Sequence, residues 1–446
     1  MSDTNERLII EGGHPITGPL SVGGSKNAAL PLIAATLLPD GVTHVRNMPD
    51  LRDVRSFARA FEKLGAKSNF KPDSDPTTPE TLTIDASGLT QHRMPREEAE
   101  SMRASIYALG ALLGRLGKAE VPLPGGDAFG HRPVNMHVEG MRALGAEIDI
   151  IGGAVVASAP GGRLKGGRFR FDPITVGGTI NVLLAAAQAK GTTLLENCAR
   201  EPDVVALGRV LQKMGAKIEG LGTSTIEIQG IDALKPGSYL APPDRIELGT
   251  HMIIALLAGT PGSEVRIVGG APSDLGDAFP AHFRATGAHY RTEAPSDGSD
   301  DDGGYLQDVI VKVPDEVFPV SVVTEPYPGL ATDLQSQWTL LMTRAEGASR
   351  IIDTIYHGRF GHVPELQRMG ANIKVEGNAA VVRGPNKLRG ATVEATDVRA
   401  AVALVLAGLI AEGETTVTGL LHLDRGHERW EAKLAAAGAK IRREKG

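Results

Sequence analysis

The sequence contains a single cysteine, Cys198, among 446 residues, and the lack of a second thiol excludes an internal disulfide. The first residues, MSDTNERLII, also lack the charged start and apolar core of a signal peptide. Disulfides belong to oxidising compartments. We therefore expect a cytoplasmic protein.

Long apolar runs and an excess of positive charge are absent too. The longest apolar run, 400–411, is about a dozen residues, whereas a helix needs about 20 to span a bilayer. We expect this run to form a buried helix. The formal net charge is -6, which does not favour a nucleic acid or an anionic membrane as partner.

The chain is longer than one hydrophobic core usually supports, so two domains or a repeat architecture are expected. One phrase recurs six times, a helical run that ends in Gly-Ala and is followed by the alternating residues of a half-buried strand. Each glycine is predicted to take the left-handed conformation that ends a helix. These glycines are Gly65, Gly145, Gly215, Gly287, Gly370 and Gly438.

Ala- and Leu-rich helices that are apolar on nearly every side lie between these copies, and such helices must be buried. They are predicted to begin near Lys26, Met102, Thr179, Gly249, Asp333 and Val398. The pattern predicts six α/β units, three in each half, that form two similar domains whose sheets enclose the apolar helices. The polar segments 71–81 and 293–304 are predicted to be exposed insertions without chemistry.

Residues 121–137, VPLPGGDAFGHRPVNMH, are the candidate catalytic loop. Their prolines and glycines exclude a regular helix or a central strand. The loop combines the carboxylate of Asp127 with His131 and Arg132, and loops carry chemistry more often than cores do. A solvated surface turn is the alternative interpretation.

Three of the buried helices open with a basic residue: Lys26 after the predicted N-cap Ser25, Arg103, and Arg399 after Asp397. The helix dipole disfavours a cation in the first turn, so an acidic partner is expected near Lys26. Several such helix ends are suited to one polyanionic ligand. A lysine that simply faces solvent is the alternative.

Further candidates follow in the second half of the chain. The proline-stiffened loop 324–337 delivers Asp333 to a buried helix, either as that helix's N-cap or as a general base aimed at a hydroxyl. His357 and His362 lack the spacing and context of a zinc site and are expected to be structural or exposed. Asp424 could form an ion pair that orients its neighbour Arg425.

Ten motifs in one order carry a family resemblance. They are GGSKNAALP, MRAS, VPLPGG-x-A-x-G-x-RPV, VGGT, ENCAREP, DRIELGT, TEPYPGLATDLQ, RFGHVPEL, DVRA and HLDRGHER. From about residue 8 to residue 445 the chain resembles the UDP-N-acetylglucosamine 1-carboxyvinyltransferases, a family of enolpyruvyl transferases. The resemblance implies an α/β (α+β) fold, a two-domain inside-out α/β barrel of six repeated units around a cleft that closes on substrate. It assigns residues 1–22 and 244–446 to the first domain, and residues 23–243, with the loop 121–137, to the second.

The activity implied by this resemblance is transfer of enolpyruvyl from phosphoenolpyruvate to the 3-hydroxyl of UDP-N-acetylglucosamine, which opens peptidoglycan synthesis. No metal or organic cofactor, nucleic acid or membrane is implied. The residues assigned to phosphoenolpyruvate are Lys26, Asn27, Arg132, Arg399 and Arg425, and Asp333 matches the residue that contacts the sugar hydroxyl and removes its proton. The nucleotide sugar is assigned to Arg103, Arg132, Pro133, Val134, Asn135, Met136, Pro173, Ile174, Thr175, Val176 and Ile355, with Arg359 as a further substrate-binding residue.

Asp127 stands where most of the family carries a cysteine, although a subset of the family has aspartate there. Protonation of the methylene carbon of phosphoenolpyruvate requires an acid, and a carboxyl group can serve if closure of the enzyme desolvates it. We therefore predict that Asp127 is this acid.

Three departures from the family pattern concern the nucleotide sugar: Asn135 replaces the usual aspartate, Pro173 replaces a basic residue, and HGRFGH from His357 replaces ENRFMH. They leave open a paralogue that uses a different nucleotide sugar. The 5-enolpyruvylshikimate-3-phosphate synthases share the architecture but lack the VPLPGG and HLDRGHER motifs. A non-catalytic UDP-sugar sensor is disfavoured because it would not need the retained cations.

Overall fold

The computed structural model describes residues 6–71, 80–123, 134–296, 304–356 and 358–445, without the side chains of Lys71, Ser101 and Arg103. The central parts of both predicted insertions, 72–79 and 297–303, lie outside the described residues, as does most of the candidate catalytic loop, 124–133.

Helices alternate with strands along the described chain. The α-helices are α1 (Lys26–Ala35), α2 (Arg52–Glu62), α3 (Arg96–Ser101), α4 (Tyr107–Leu116), α5 (Asn135–Ala143), α6 (Val176–Ala186), α7 (Pro202–Lys213), α8 (Arg245–Ala258), α9 (Ala278–Ala285), α10 (Gln335–Leu341), α11 (Val363–Arg368), α12 (Val398–Ile410) and α13 (Trp430–Ala436). Short 3-10 turns cover Arg103–Ile106, Pro160–Gly162, Pro272–Leu275 and Thr332–Leu334.

The strands are short, as expected for repeated small sheets. They are β1 (Glu6–Glu11), β2 (Leu20–Ser21), β3 (Val42–Arg46), β4 (Lys67–Lys71), β5 (Thr81–Asp85), β6 (Lys118–Pro122), β7 (Glu147–Ile151), β8 (Ala154–Ser158), β9 (Arg168–Arg170), β10 (Thr192–Glu196), β11 (Lys217–Glu219), β12 (Thr225–Gln229), β13 (Ser238–Leu240), β14 (Glu264–Gly270), β15 (His289–Glu293), β16 (Gln307–Lys312), β17 (Val322–Thr324), β18 (Gly347–Asp353), β19 (Ile373–Glu376), β20 (Ala379–Gly384), β21 (Thr392–Glu394), β22 (Glu414–Thr418) and β23 (Lys440–Lys445).

The chain divides into two compact units. One unit is Gly24–Pro242, and the other combines Met1–Gly23 with Pro243–Gly446. We call them the central unit and the terminal unit. Each has its own hydrophobic core.

The core of the central unit is built on α1, α4 and α6, which pack on one another. From Thr179 to its end at Ala186, every residue of α6 is buried, so this stretch has no solvent-facing side. The sheets of this unit have the strand orders β13-β3-β5-β4, β6-β8-β7 and β11-β12-β10-β9. Burial of each large aliphatic side chain in such a core contributes about 1.5–3 kcal/mol.

The terminal unit follows the same plan with α8, α10 and α12 packed together. Its sheets have the orders β15-β16-β14-β2, β17-β18-β20-β19 and β21-β22-β1-β23. The N-terminal strand β1 pairs antiparallel with both β22 and β23. The first strand of the chain therefore completes a sheet whose other members come from its last residues.

The six Gly-Ala corners take the predicted conformation. All six glycines have positive φ angles, between 84° at Gly145 and 113° at Gly215. A strand follows each of them: β4, β7, β11, β15, β19 and β23.

In three of these corners, the side chain three residues before the glycine donates a hydrogen bond to the carbonyl three residues after it. The pairs are Arg142 to Ile148, Gln212 to Ile218 and Gln367 to Ile373, each at 2.7 Å. The prediction of repeated helix ends is confirmed.

Some helix starts differ from the prediction. The helix predicted to begin near Thr179 begins at Val176, because the side chain of Thr175 accepts a hydrogen bond from the Gly178 amide and caps it. The helix predicted near Gly249 begins at Arg245, since the side chain of Asp244 accepts from the first amides. A polar cap before the apolar run fixes both starts.

Two glycines in equivalent corners allow the cost of backbone strain to be distinguished from the cost of a steric clash. Gly145, with φ 84°, has open space where a Cβ would be, whereas a Cβ on Gly65, with φ 103°, would lie 2.3 Å from the Gly88 carbonyl oxygen. We expect Gly145→Ala to lower the free energy of unfolding by about 1–2 kcal/mol, the cost of a left-handed alanine. Gly65→Ala should lower it by about 3 kcal/mol or more, since a backbone clash is added. Equal losses in urea titrations of the two variants would contradict this account.

Candidate active site

The first turn of α1 holds a cation beside a buried carboxylate. Ser25 caps the helix by accepting a hydrogen bond from the Ala28 amide at 3.2 Å, and its own hydroxyl donates to Asp203 at 3.2 Å. The Lys26 ammonium lies 2.9 Å from a carboxylate oxygen of Asp53, which is buried at the start of α2. The predicted acidic partner of Lys26 is thus present. Asn27, the next residue, is exposed.

A second charged cluster surrounds Asp333 in the terminal unit. The Arg399 guanidinium donates to Asp333 Oδ1 through Nη2 and, at 3.1 Å, through Nε. The Arg359 guanidinium lies 4.0 Å from the same oxygen and is almost completely buried.

The local N-cap interpretation of Asp333 is wrong. Asp333 lies within the 3-10 turn Thr332–Leu334, and the N-cap position of α10 is occupied by Leu334, which makes no side-chain capping bond. Asp333 therefore points its carboxylate at arginines that are distant in sequence.

The charges of this cluster decide the protonation state of Asp333. Burial opposes ionisation of the carboxyl group, but the positive charges of Arg399 and Arg359 outweigh that effect and hold its pKa well below its usual range. Burial likewise lowers the pKa of Arg399, and the nearby Asp333 carboxylate more than compensates, so that this pKa is raised. Both groups are ionised at neutral pH.

Arg399 is held from its backbone as well. Asp397 is the N-cap of α12 and accepts hydrogen bonds from the Arg399 and Ala400 amides at 2.8 and 3.2 Å. The Arg399 carbonyl accepts a hydrogen bond from Ser336 on α10 at 3.1 Å. The N-cap and the carbonyl contact together fix the backbone of Arg399, from which its side chain extends.

Asp353 organises the backbone around this cluster and was missed by the sequence analysis. It is fully buried at the end of β18 and accepts hydrogen bonds from the Thr332 hydroxyl at 2.7 Å and the Thr324 hydroxyl at 3.0 Å. It also accepts from the amides of Ile355 and Tyr356 at 2.9 and 3.0 Å.

Thr332 in turn accepts a hydrogen bond from Arg359 at 2.9 Å. The sequence did contain a signal for Asp353. The parallel strands β17 and β18 both end in a polar residue, and these two residues, Thr324 and Asp353, are paired in the sheet.

In the central unit, two segments assigned to the nucleotide sugar lie together. Met136 is buried on α5, and its sulfur accepts a hydrogen bond from the Asp172 amide at 3.4 Å. Val134 holds the N-cap position of α5 and Asn135 is its exposed first residue. On the other side, Pro173 and Ile174 are exposed, while Thr175 and Val176 form the capped start of α6.

Several predicted site residues lie outside the described residues. They are Asp127, His131, Arg132, Pro133 and His357, together with the side chain of Arg103. Arg425 is described and half-buried in the turn after β22. Its neighbour Asp424 accepts hydrogen bonds from both terminal nitrogens of Arg443, at 3.0 and 2.6 Å.

The described histidines and acids give no evidence for a metal centre. Within the described ranges, no three His, Cys, Asp or Glu side chains are grouped so that they could hold a metal ion. His362 is buried at the start of α11, and burial lowers its pKa to about 4, so it is neutral at pH 7. Among the helices described, none has the length and apolar composition needed to cross a bilayer.

Comparison with known proteins gives matches over nearly the whole chain. The family described as EPSP synthase (3-phosphoshikimate 1-carboxyvinyltransferase) matches residues 10–434. Curated proteins named UDP-N-acetylglucosamine 1-carboxyvinyltransferase are 44% identical in Myxococcus xanthus and 45% identical in Anaeromyxobacter, over 99% of this chain and 100% of each relative. The protein of that name in Prosthecochloris aestuarii is 44% identical over 98% of both chains.

Solved structures confirm the predicted fold. The enolpyruvyl transferase NikO from Streptomyces tendae matches with a TM-score of 0.83 and 26% identity, over 99% of this chain and 100% of that chain. EPSP synthase from Acinetobacter baumannii matches with a TM-score of 0.74 over 99% of this chain, at 20% identity, and supports the fold alone. The chain belongs to the EPSP synthase family of enolpyruvyl transferases, in the group whose curated members are named UDP-N-acetylglucosamine 1-carboxyvinyltransferase.

Proposed function

We propose that the protein transfers the enolpyruvyl group of phosphoenolpyruvate to the 3-hydroxyl of UDP-N-acetylglucosamine and releases phosphate, the first committed step of peptidoglycan synthesis. The observation that carries the proposal is the Asp333 carboxylate, which Arg399 and Arg359 keep ionised beside cations suited to an anionic substrate. Full-length relatives with this activity in their names support it. We place the reaction in the cytoplasm.

Phosphoenolpyruvate carries a phosphate and a carboxylate, so its binding requires several fixed cations. Lys26 and Arg399 are each held by a carboxylate at the first turn of a buried helix. Charge-assisted hydrogen bonds from such preorganised groups are strong, and they require little rearrangement when substrate binds. Arg132 and Arg425 are the further cations of this proposal.

Asp333 is proposed to accept the proton of the sugar hydroxyl. An ionised carboxylate can accept the hydroxyl hydrogen bond and then take the proton as the oxygen attacks C2 of phosphoenolpyruvate. The low pKa makes Asp333 a weak base while Arg399 is bound to it. An anionic group that draws Arg399 away would make Asp333 more basic at the moment of attack.

Asp127 is proposed to protonate the methylene carbon of phosphoenolpyruvate in the same addition. Bond formation between the sugar oxygen and C2, with protonation of C3, gives a tetrahedral intermediate that still carries phosphate. Loss of a proton from C3 and departure of phosphate restore the double bond. A carboxyl group can donate this proton only while it is protonated, which favours a site from which water is excluded.

The nucleotide sugar is proposed to bind the segments 134–136 and 173–176 of the central unit, with Arg103, Arg132 and Pro133. The hydrogen bond between the Asp172 amide and the Met136 sulfur joins the two segments, and the exposed Asn135, Pro173 and Ile174 are neighbours of these residues in sequence. Because neither Asn135 nor Pro173 carries a charge, a different nucleotide sugar is the second candidate acceptor.

Phosphate release from phosphoenolpyruvate tests the proposal directly. We expect release by the wild type only when UDP-N-acetylglucosamine is present, and a loss of roughly 10²-fold or more in Asp127→Ala and in Lys26→Ala. The control is Lys217→Ala, which removes an exposed lysine of β11 in the same unit and should retain full activity. Release with another nucleotide sugar alone would assign the protein to a paralogue. Binding of the UDP sugar without any release would make it a sensor.

The ionisation of Asp333 predicts a pH-dependent contribution to stability. Its folded pKa lies below that of an unfolded aspartate, so the stabilisation is complete above about pH 4 and is lost as pH falls below that value. The difference in free energy of unfolding between wild type and Asp333→Asn should therefore be constant from pH 7 to about pH 5 and shrink toward pH 3.

Asp232→Asn is the matched control for this titration, because Asp232 pairs with Arg163 while 94% exposed. Exposed pairs contribute little, so this variant should match the wild type at every pH. A wild-type advantage over Asp333→Asn that grows as the solution becomes acidic would contradict an ionised Asp333.

A further inference from the structure

One buried amide on α6 joins three segments of the central unit. Asn181 is fully buried, and its Nδ2 donates to the Ile106 carbonyl at 2.9 Å and to His137 Nδ1 at 2.9 Å. Its Oδ1 accepts from the Gly110 amide at 2.7 Å. Both amide protons and one oxygen lone pair are therefore used by groups from other elements.

The first contact lies where the 3-10 turn Arg103–Ile106 passes into α4. The Ile106 carbonyl and the Gly110 amide are four residues apart, and the Asn181 amide bridges them. A Cβ on Gly110 would lie 2.4 Å from Asn181 Oδ1, so the bridge requires a glycine at this position. The amide thus fixes the turn that begins with Arg103.

The second contact fixes the tautomer of His137. Because Nδ1 accepts the Asn181 proton, the neutral ring carries its own proton on Nε2. Burial lowers the pKa of His137 to about 4, which keeps the ring neutral at pH 7. The ring packs against the first turn of α6, where a Cβ on Gly177 would lie 3.3 Å from Nε2.

These contacts lie next to three stretches that we assign to the nucleotide sugar: Arg103, 134–136 and 173–176. Asn181 bonds to Ile106, the last residue of the turn that Arg103 begins, and to His137, which directly follows 134–136. It belongs to α6, the helix that starts at the end of 173–176. Met136, next to His137, is bonded to Asp172 at the edge of the third. No other side-chain amide in the described chain is shown to bond to both Ile106 and His137.

We propose that Asn181 is a positioning residue for nucleotide-sugar binding: its amide holds the Arg103–Ile106 turn and His137 in register with the start of α6. It touches no reacting atom and acts through these segments. The inference rests on the proposed function, because that function assigns the segments to the nucleotide sugar. A purely structural amide would stabilise the fold without favouring one substrate over the other.

Asn181→Asp is the sharpest variant, since it keeps the shape and the acceptor for Gly110 but removes both donors. The new carboxylate would face the Ile106 carbonyl and His137 Nδ1 without a proton to offer. We expect the KM for UDP-N-acetylglucosamine to rise about tenfold or more, which is the cost of losing a buried hydrogen bond that supports the complex with this substrate. The KM for phosphoenolpyruvate should stay within about twofold of the wild-type value.

Gln212→Glu is the matched control. It makes the same amide-to-acid change in the same unit, and the side chain of Gln212 is shown to bond to the Ile218 carbonyl at a Gly-Ala corner. We expect both KM values of this variant to match the wild type. Circular dichroism and melting curves establish that each variant is folded at the assay temperature.

A second variant and a spectroscopic readout separate positioning from stability. His137→Leu removes the acceptor of the Asn181 proton, so its effect on UDP-N-acetylglucosamine binding should not add to that of Asn181→Asp in the double variant. Nitrogen-15 spectra of labelled histidine should show His137 with its proton on Nε2 in the wild type and on Nδ1, or on both nitrogens, in Asn181→Asp.

An unchanged KM for UDP-N-acetylglucosamine in folded Asn181→Asp would overturn the proposal, as would an equal rise in both KM values. A wild-type His137 protonated on Nδ1 would overturn it too. Failure of the proposed function would look different, since the wild type itself would consume no phosphoenolpyruvate. Calorimetric titration of both proteins with UDP-N-acetylglucosamine would then still support or overturn the role of Asn181.

Discussion

Helices without a polar face must be enclosed, and this constraint determines where the chemistry of the protein can lie. In the central unit α1, α4 and α6 pack together, and in the terminal unit α8, α10 and α12 do so. Their sides are buried, so they can present polar groups to solvent or a ligand mainly at their ends. Lys26, Asp333, Arg399 and Thr175 all lie at or just before the first turn of such a helix.

A helix start is favourable for anions and unfavourable for cations, so each cation placed there needs a compensating charge. Asp53 supplies it for Lys26, while Asp397 and Asp333 supply it for Arg399. Asp53 and Asp333 also fix the direction of these basic side chains before substrate arrives. Preorganised charges of this kind are what the addition of an alcohol to phosphoenolpyruvate requires. In the function that we propose, the pairs that compensate these charges are also the ones that meet the substrate.

Local features of the fold could be predicted from the sequence, whereas contacts between distant segments could not. The Gly-Ala corners follow from glycine's tolerance of positive φ, and the Ser25 cap and an acid near Lys26 follow from helix electrostatics. The partner's identity, Asp53, depends on how α2 packs against α1. The contact of Asp333 with Arg399, which is 66 residues away in sequence, could not be predicted either.

The residues that organise the site were the least accessible to sequence analysis. Asp353 and Asn181 have no motif of their own, because each is defined by hydrogen bonds to several elements. Asn181 in particular lies within an apolar helix, 71 residues from its partner Gly110. Such buried polar hubs become visible only when the packing is known.

The identity of the product tests the central claim most directly. The protein would be incubated with carbon-13-labelled phosphoenolpyruvate and UDP-N-acetylglucosamine, and the product examined by NMR. The account predicts one product, with the labelled enolpyruvyl carbon coupled to the proton at C3 of the sugar and one phosphate released per ether formed. An ether at a different sugar oxygen, or label that never leaves phosphoenolpyruvate, would contradict it.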